Sequence, residues 1–74
     1  MLSFLIEINY RMHGGNPGSQ SVTVHADDYD QAYTLARDYV RNVRKPMKID
    51  GGHMVGRPFL TDAAEPGIFV KTEG

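Results

Sequence analysis

Four basic side chains, Arg37, Arg41, Arg44 and Lys45, are the only clustered set in this 74-residue chain able to recognise a ligand by charge. The three arginines follow one another at i, i+4 and i, i+3. On a helix they would form a stripe of planar forks suited to phosphates or carboxylates. Lys48 and Arg57 could extend it. A second reading stays open: cations near a helix C-terminus, with Asp27, Asp28 and Asp30 near its start, complement the helix dipole and face only water.

Other chemistries find less support in residue type and spacing. His13, His25 and His53 fit no zinc-ligand pattern, and no pair shares a helical turn, so no metal-binding residue is expected. The serine and threonine hydroxyls lie outside any Gly-x-Ser-x-Gly elbow, and no catalytic residue or enzymatic activity is expected. HGGNPG has the glycines of a phosphate loop without its Gly-Lys-Ser/Thr ending, and it leads into a strand, so no cofactor-binding residue is assigned and no cofactor is expected. Cysteine is absent, which removes thiolate and disulfide chemistry.

The basic stripe belongs to DDYDQAYTLARDYVRNVRK, Asp27 to Lys45, the one segment with a clear helical period. Tyr29, Ala32, Tyr33, Ala36, Tyr39, Val40 and Val43 share a broad apolar sector, with Leu35 at its edge. Asp28 is placed to cap the first turn, with Gln31 reaching back. Pro46 ends the helix near Arg44.

Before the helix, Leu2 to Met12 alternates, with Leu2, Phe4, Ile6, Ile8, Tyr10 and Met12 inward. Gln20 to Ala26 alternates likewise, with Val22 and Val24 inward. A hairpin centred near Asn16 would set Tyr10 opposite Val22, Ile8 opposite Val24 and Glu7 opposite His25. Leu5, Glu7, Asn9, Arg11, Thr23 and His25 would then line the outer face, without the aromatic platform of a single-strand RNA binder, because Phe4 and Tyr10 point inward. After Pro46 a short strand through Met47 and Ile49, an Asp-Gly-Gly turn, a loop over FLTDAAEPG and a last strand from Ile68 to Thr72 are expected. The fold class is α+β: a small antiparallel sheet in β-β-α-β-β order with one amphipathic helix on one face, forming a single domain over residues 1–74.

With 8 basic and 9 acidic residues, the net charge of −1 gives no overall steering toward nucleic acid. The amino end lacks the basic region and long apolar run of a signal peptide, and no stretch is long enough to span a bilayer. A cytoplasmic protein without membrane contact is expected. A chain this short buries little surface, so a protein partner or a second copy completing a homodimer would add stability.

The run SVTVHADDYDQAYTLARDYV, a strand ending in Ala, an acidic cap and a helix with alanines four apart, resembles the hairpin-helix core of small phage-encoded proteins, including some anti-CRISPR inhibitors. The likeness spans about Met1 to Lys45 and carries no functional residue across. It implies a stoichiometric inhibitor of phage or mobile-element type that covers a nucleic-acid-binding surface or blocks a movement in a host complex. The expected function is therefore a noncatalytic protein-interaction module docking through Arg37, Arg41, Arg44 and Lys45 or through the hairpin tip. The alternative is a small nucleic-acid-binding domain using the same arginines on phosphates.

Overall fold

The computed structural model describes residues 1–69. The elements are β1 (Leu2–Arg11), β2 (Pro17–Ala26), α1 (Tyr29–Arg44), β3 (Lys48–Met54), β4 (Phe59–Leu60) and β5 (Gly67–Phe69). The strands form one antiparallel sheet in the order β3-β1-β2-β5, with β4 pairing the start of β1 beyond the end of β3. Helix α1 covers one face, so the α+β architecture read from the sequence is the observed one. It gains the two-residue β4, where FLTDAAEPG reads as loop. Val70 to Thr72, the end of the expected last strand, lie outside the described residues.

Strand alternation decides which face is buried. Phe4, Ile6, Ile8 and Tyr10 of β1 and Val22, Val24 and Ala26 of β2 are all buried against Ala32, Ala36 and Val40 of the helix. Ile6, Ile8, Val24 and Val40 are the largest fully enclosed side chains, each contributing about 1.5–3 kcal/mol by leaving water. The two alanines let the helix axis sit close above the central strands. Leu2, Tyr33, Leu35, Tyr39, Ile49, Met54 and Ile68 close the core as a half-buried rim.

The hairpin register differs from the expected one by four residues. Ile6 lies opposite Val22, Phe4 opposite Val24, Ser3 opposite His25 and Glu7 opposite Ser21. The cause is a tighter loop, centred on Gly14 rather than Asn16. The Gly15 N–H donates to Met12 O at 2.8 Å, the Met12 N–H donates to Asn16 O at 2.9 Å, and Gly15 takes φ 84°. This is the three-residue hairpin loop whose last position needs a left-handed residue, which glycine supplies. Because a four-residue shift is even, the inward rows keep their face.

Asp28 caps the helix as expected: the Gln31 N–H donates to its Oδ1 at 2.8 Å. Gln31 reaches back one residue further than a capping box requires, its Oε1 accepting from the Asp27 N–H at 2.8 Å. At the other end Lys45 closes the helix at φ 48°, ψ 53°, its N–H donating to Arg41 O. Val43 is half exposed although its helical position faces the sheet. Toward the helix C-terminus the inward row of β2 passes from Val22 to Gln20 and Gly18, so that strand supplies no large apolar side chain there.

Asp50, Gly51 and Gly52 form a bulge inside a continuous β3 rather than the expected turn. The register with β1 slips between Asn9 and Tyr10, and Gly51 takes φ 145°. Gly52 is fixed by close approach: a Cβ there would lie 2.7 Å from Glu7 O, 2.8 Å from Ile8 Cδ1 and 3.1 Å from a Tyr33 ring carbon. Gly52→Ala should therefore destabilise the fold by about 1–3 kcal/mol, read as a lower urea midpoint at unchanged slope. Lys45→Gly should stabilise the fold by about 0.5–1 kcal/mol, read as a higher midpoint, because a left-handed β-carbon is strained and glycine is not, less the added freedom of the unfolded chain.

Candidate functional site

The basic stripe on α1 is less uniform than its spacing suggests. Arg44 turns toward the sheet and donates from Nε to Gln20 Oε1 at 2.8 Å. Arg37 is half-buried along its stem, with Nε 3.6 Å from Asp38 Oδ1 and no hydrogen-bond partner for that nitrogen. Asp38 thus lies against Arg37 rather than against Arg41, the partner its i, i+3 spacing suggests. Arg41 and Lys45 are exposed, and no ion pair holds either among the described residues. Two of the four cations have local side-chain neighbours, Arg44 while still exposed, and two are exposed with none among the described residues.

The helix-free face of the sheet is better organised. Strand pairing places its outward residues in rows that can be followed across the sheet. The first row reads Phe59, Ser3, His25, Gly67 from β4 to β5. In the second, Leu5, Thr23 and Phe69 are strand partners, and Val55 stands beside Leu5, its N–H donating to Leu5 O at 2.7 Å. Beyond these, His53, Glu7 and Ser21 share the third row, followed by Gly51, Asn9 and Ser19, and then by Lys48, Arg11 and Pro17.

The two ends of this face differ in character. At the far end charges are locally matched: Asp50 lies 3.4 Å from Lys48 Nζ and 4.0 Å from Arg11 Nε, and the Arg11 guanidinium also donates to Gly15 O at 3.0 Å. At the near end the first two rows carry large apolar side chains that are open to solvent, interleaved with Ser3, His25 and Thr23. Phe59 is 72% exposed, Phe69 51%, Leu5 39% and Val55 38%. The His25 ring lies 5.4 Å from that of Phe69, tilted by 31°. The expectation of a face without aromatics is corrected here: β1 does turn Phe4 and Tyr10 inward, but β4 and β5 bring Phe59 and Phe69 to the outer side.

The band has appreciable size. Taking about 200 Å² for a phenylalanine side chain, the two rings leave about 250 Å² of apolar surface in water. With Leu5 and Val55 the band falls in the range of the largest patch on an ordinary monomer, about 300–600 Å², where function is common. Leu60, on the helix side of β4, is 88% exposed and lies off this band.

The histidines do not converge. His13 is in the hairpin turn, His25 in the first outer row and His53 beside Glu7 in the third, and His25 does not face Glu7 as the looser hairpin would have it. Among the described residues no three His, Asp or Glu side chains gather around a point where one ion could sit, and no helix is long and apolar enough to cross a membrane. A shallow groove of about 260 Å³ lies along β2 past Phe69, lined among others by Gln20, Ser21 and Tyr39. Strands of two and three residues carry no periodicity, so the sequence signal for the apolar band was limited to the residue types of Phe59 and Phe69. No protein-family model, characterised protein or solved structure matches this chain.

Proposed function

We infer that the chain is a noncatalytic protein-interaction module that docks through the helix-free face of its sheet. The observation that carries this reading is the open apolar band of Leu5, Val55, Phe59 and Phe69, bordered by polar rows. An aromatic-centred patch with a polar rim is the anatomy of a protein interface core, where a few large side chains supply most of the affinity. A stoichiometric inhibitor acting on a host complex, the role implied by the resemblance to phage-encoded proteins, is one form such a module takes.

The test compares wild-type protein with Phe59→Asp and with Arg41→Glu/Lys45→Glu in quantitative capture of binding proteins. Phe59 is largely exposed, so its variant should melt within a few degrees of wild type. Loss of at least about tenfold in affinity on Phe59→Asp, equal to about 1.4 kcal/mol, is expected, with little change in the helix variant. The reverse pattern would move docking to the cationic helix end.

A second reading, binding of single-stranded nucleic acid, draws on the rings of Phe59, His25 and Phe69 on one open face, with Arg57 two residues before Phe59. Base stacking on such rings contributes about 1–3 kcal/mol per base. Titration against labelled DNA and RNA oligonucleotides at two salt concentrations decides it. Affinity falling linearly on logarithmic axes, with a slope of about −0.7 per phosphate contacted, would support it, and absence of binding at low salt would end it.

A further inference from the structure

We propose that the occupant of the open sheet face is a second copy of this chain, packed about a two-fold axis that runs parallel to the strands and sets β1 of one copy over β2 of the other. This rests on the docking reading above and names the partner.

The argument begins with side-chain size. The first outer row reads Phe59, Ser3, His25, Gly67, which is large, small, large and absent. Turned end for end and laid on itself, the row sets Phe59 over Gly67 and His25 over Ser3. In this row each large group then meets a small one. A Cβ on Gly67 would find nothing within 4 Å, so the space above it is free to receive a ring. In the second row the same rotation sets Leu5 over Thr23 and Val55 over Phe69. Facing layers that alternate large and small side chains interdigitate without voids, and a two-fold contact requires a surface that complements itself.

Charge follows the same symmetry. The charged outward residues of the central strands, Glu7 and Arg11, are both on β1, while β2 presents Pro17, Ser19, Ser21 and Thr23. The two-fold that sets β1 over β2 brings Glu7 opposite Ser21, a hydroxyl donor, and Arg11 opposite Pro17. No like charges on these strands are forced together. A two-fold running along β1 itself would instead stack Glu7 on Glu7 and Arg11 on Arg11, and would set Phe59 over His25, large on large.

Area sets the strength. Two central strands of 10 residues each, flanked by β3, β4 and β5 of 7, 2 and 3 residues, give a face of about 500 Å² per copy at about 3.3 Å per residue and about 4.8 Å between strands. That lies below the roughly 800 Å² per partner of a standard stable interface. The dimer is accordingly a weak one, with a dissociation constant on the order of 100 μM.

Sedimentation equilibrium of the full chain from about 10 μM to about 1 mM reads this directly. Wild-type protein is expected to pass from monomer to dimer within that range. Phe59→Asp should weaken the dimer at least tenfold by placing a carboxylate in the apolar band. Gly67→Val is the sharper variant: the open space leaves the monomer's fold intact, checked by its melting curve, while the new side chain fills the seat of Phe59 and should also weaken association at least tenfold. Wild-type protein that stays monomeric at about 1 mM overturns the second copy. A dimer indifferent to either substitution overturns the proposed packing. Neither result touches the docking reading, which fails only if capture of other proteins also ignores Phe59→Asp.

Discussion

One helix of 16 residues can cover only one face of a sheet, and the division of this protein into a buried and an open apolar side follows from that limit. A helix is about 10 Å across and strands lie about 4.8 Å apart, so α1 shields two strands fully and their neighbours in part. The exposures follow the geometry. Ile6, Ile8, Val24 and Ala26 on the two central strands are enclosed, whereas Ile49, Met54 and Ile68 on the flanking strands are half-buried. The opposite face receives no helix. Among the described residues, the apolar groups that the strands turn that way, Leu5, Phe59 and Phe69, stay open to solvent.

The covered side uses that one helix closely. Ala32 and Ala36 place almost no bulk between the helix and the strands, and Tyr33 spreads over β3 where Gly52 leaves room. The bulge at Asp50 and Gly51 bends β3 at the edge of the sheet and turns Asp50 toward Lys48 and Arg11. A charged, bulged edge resists pairing with another strand. Association along that edge is therefore disfavoured, while association through the face is not.

The periodic parts of this fold were legible in the sequence. Sixteen residues with a 3.6 period and two strands with a period of two identify the helix, the hairpin and their shared face from residue type alone. Register was not, because it depends on which glycine takes the left-handed position: Gly15 does, and the pairing moves by four residues while the pattern of inward residues stays unchanged. Asp50-Gly51-Gly52 has the composition of a turn, and only the approach of Glu7, Ile8 and Tyr33 shows why glycine is needed within a strand. The candidate site was the least legible part. Helical spacing made the arginines conspicuous, yet spacing does not reveal that Arg44 reaches across to Gln20. The apolar band joins residues from β1, β4 and β5 with Val55 beyond the end of β3, and only the pairing of short strands brings them side by side.

An uncovered apolar band also bears on stability. Small domains bury a low fraction of their surface, which leaves a modest reserve against the entropy of about 1–2 kcal/mol per ordered residue. Binding to the folded form alone adds RT ln(1 + [L]/Kd), about 2.7 kcal/mol when the partner is at a hundred times its dissociation constant. The same side chains that are a solubility cost in the free chain thus become a stabilising core in the bound one.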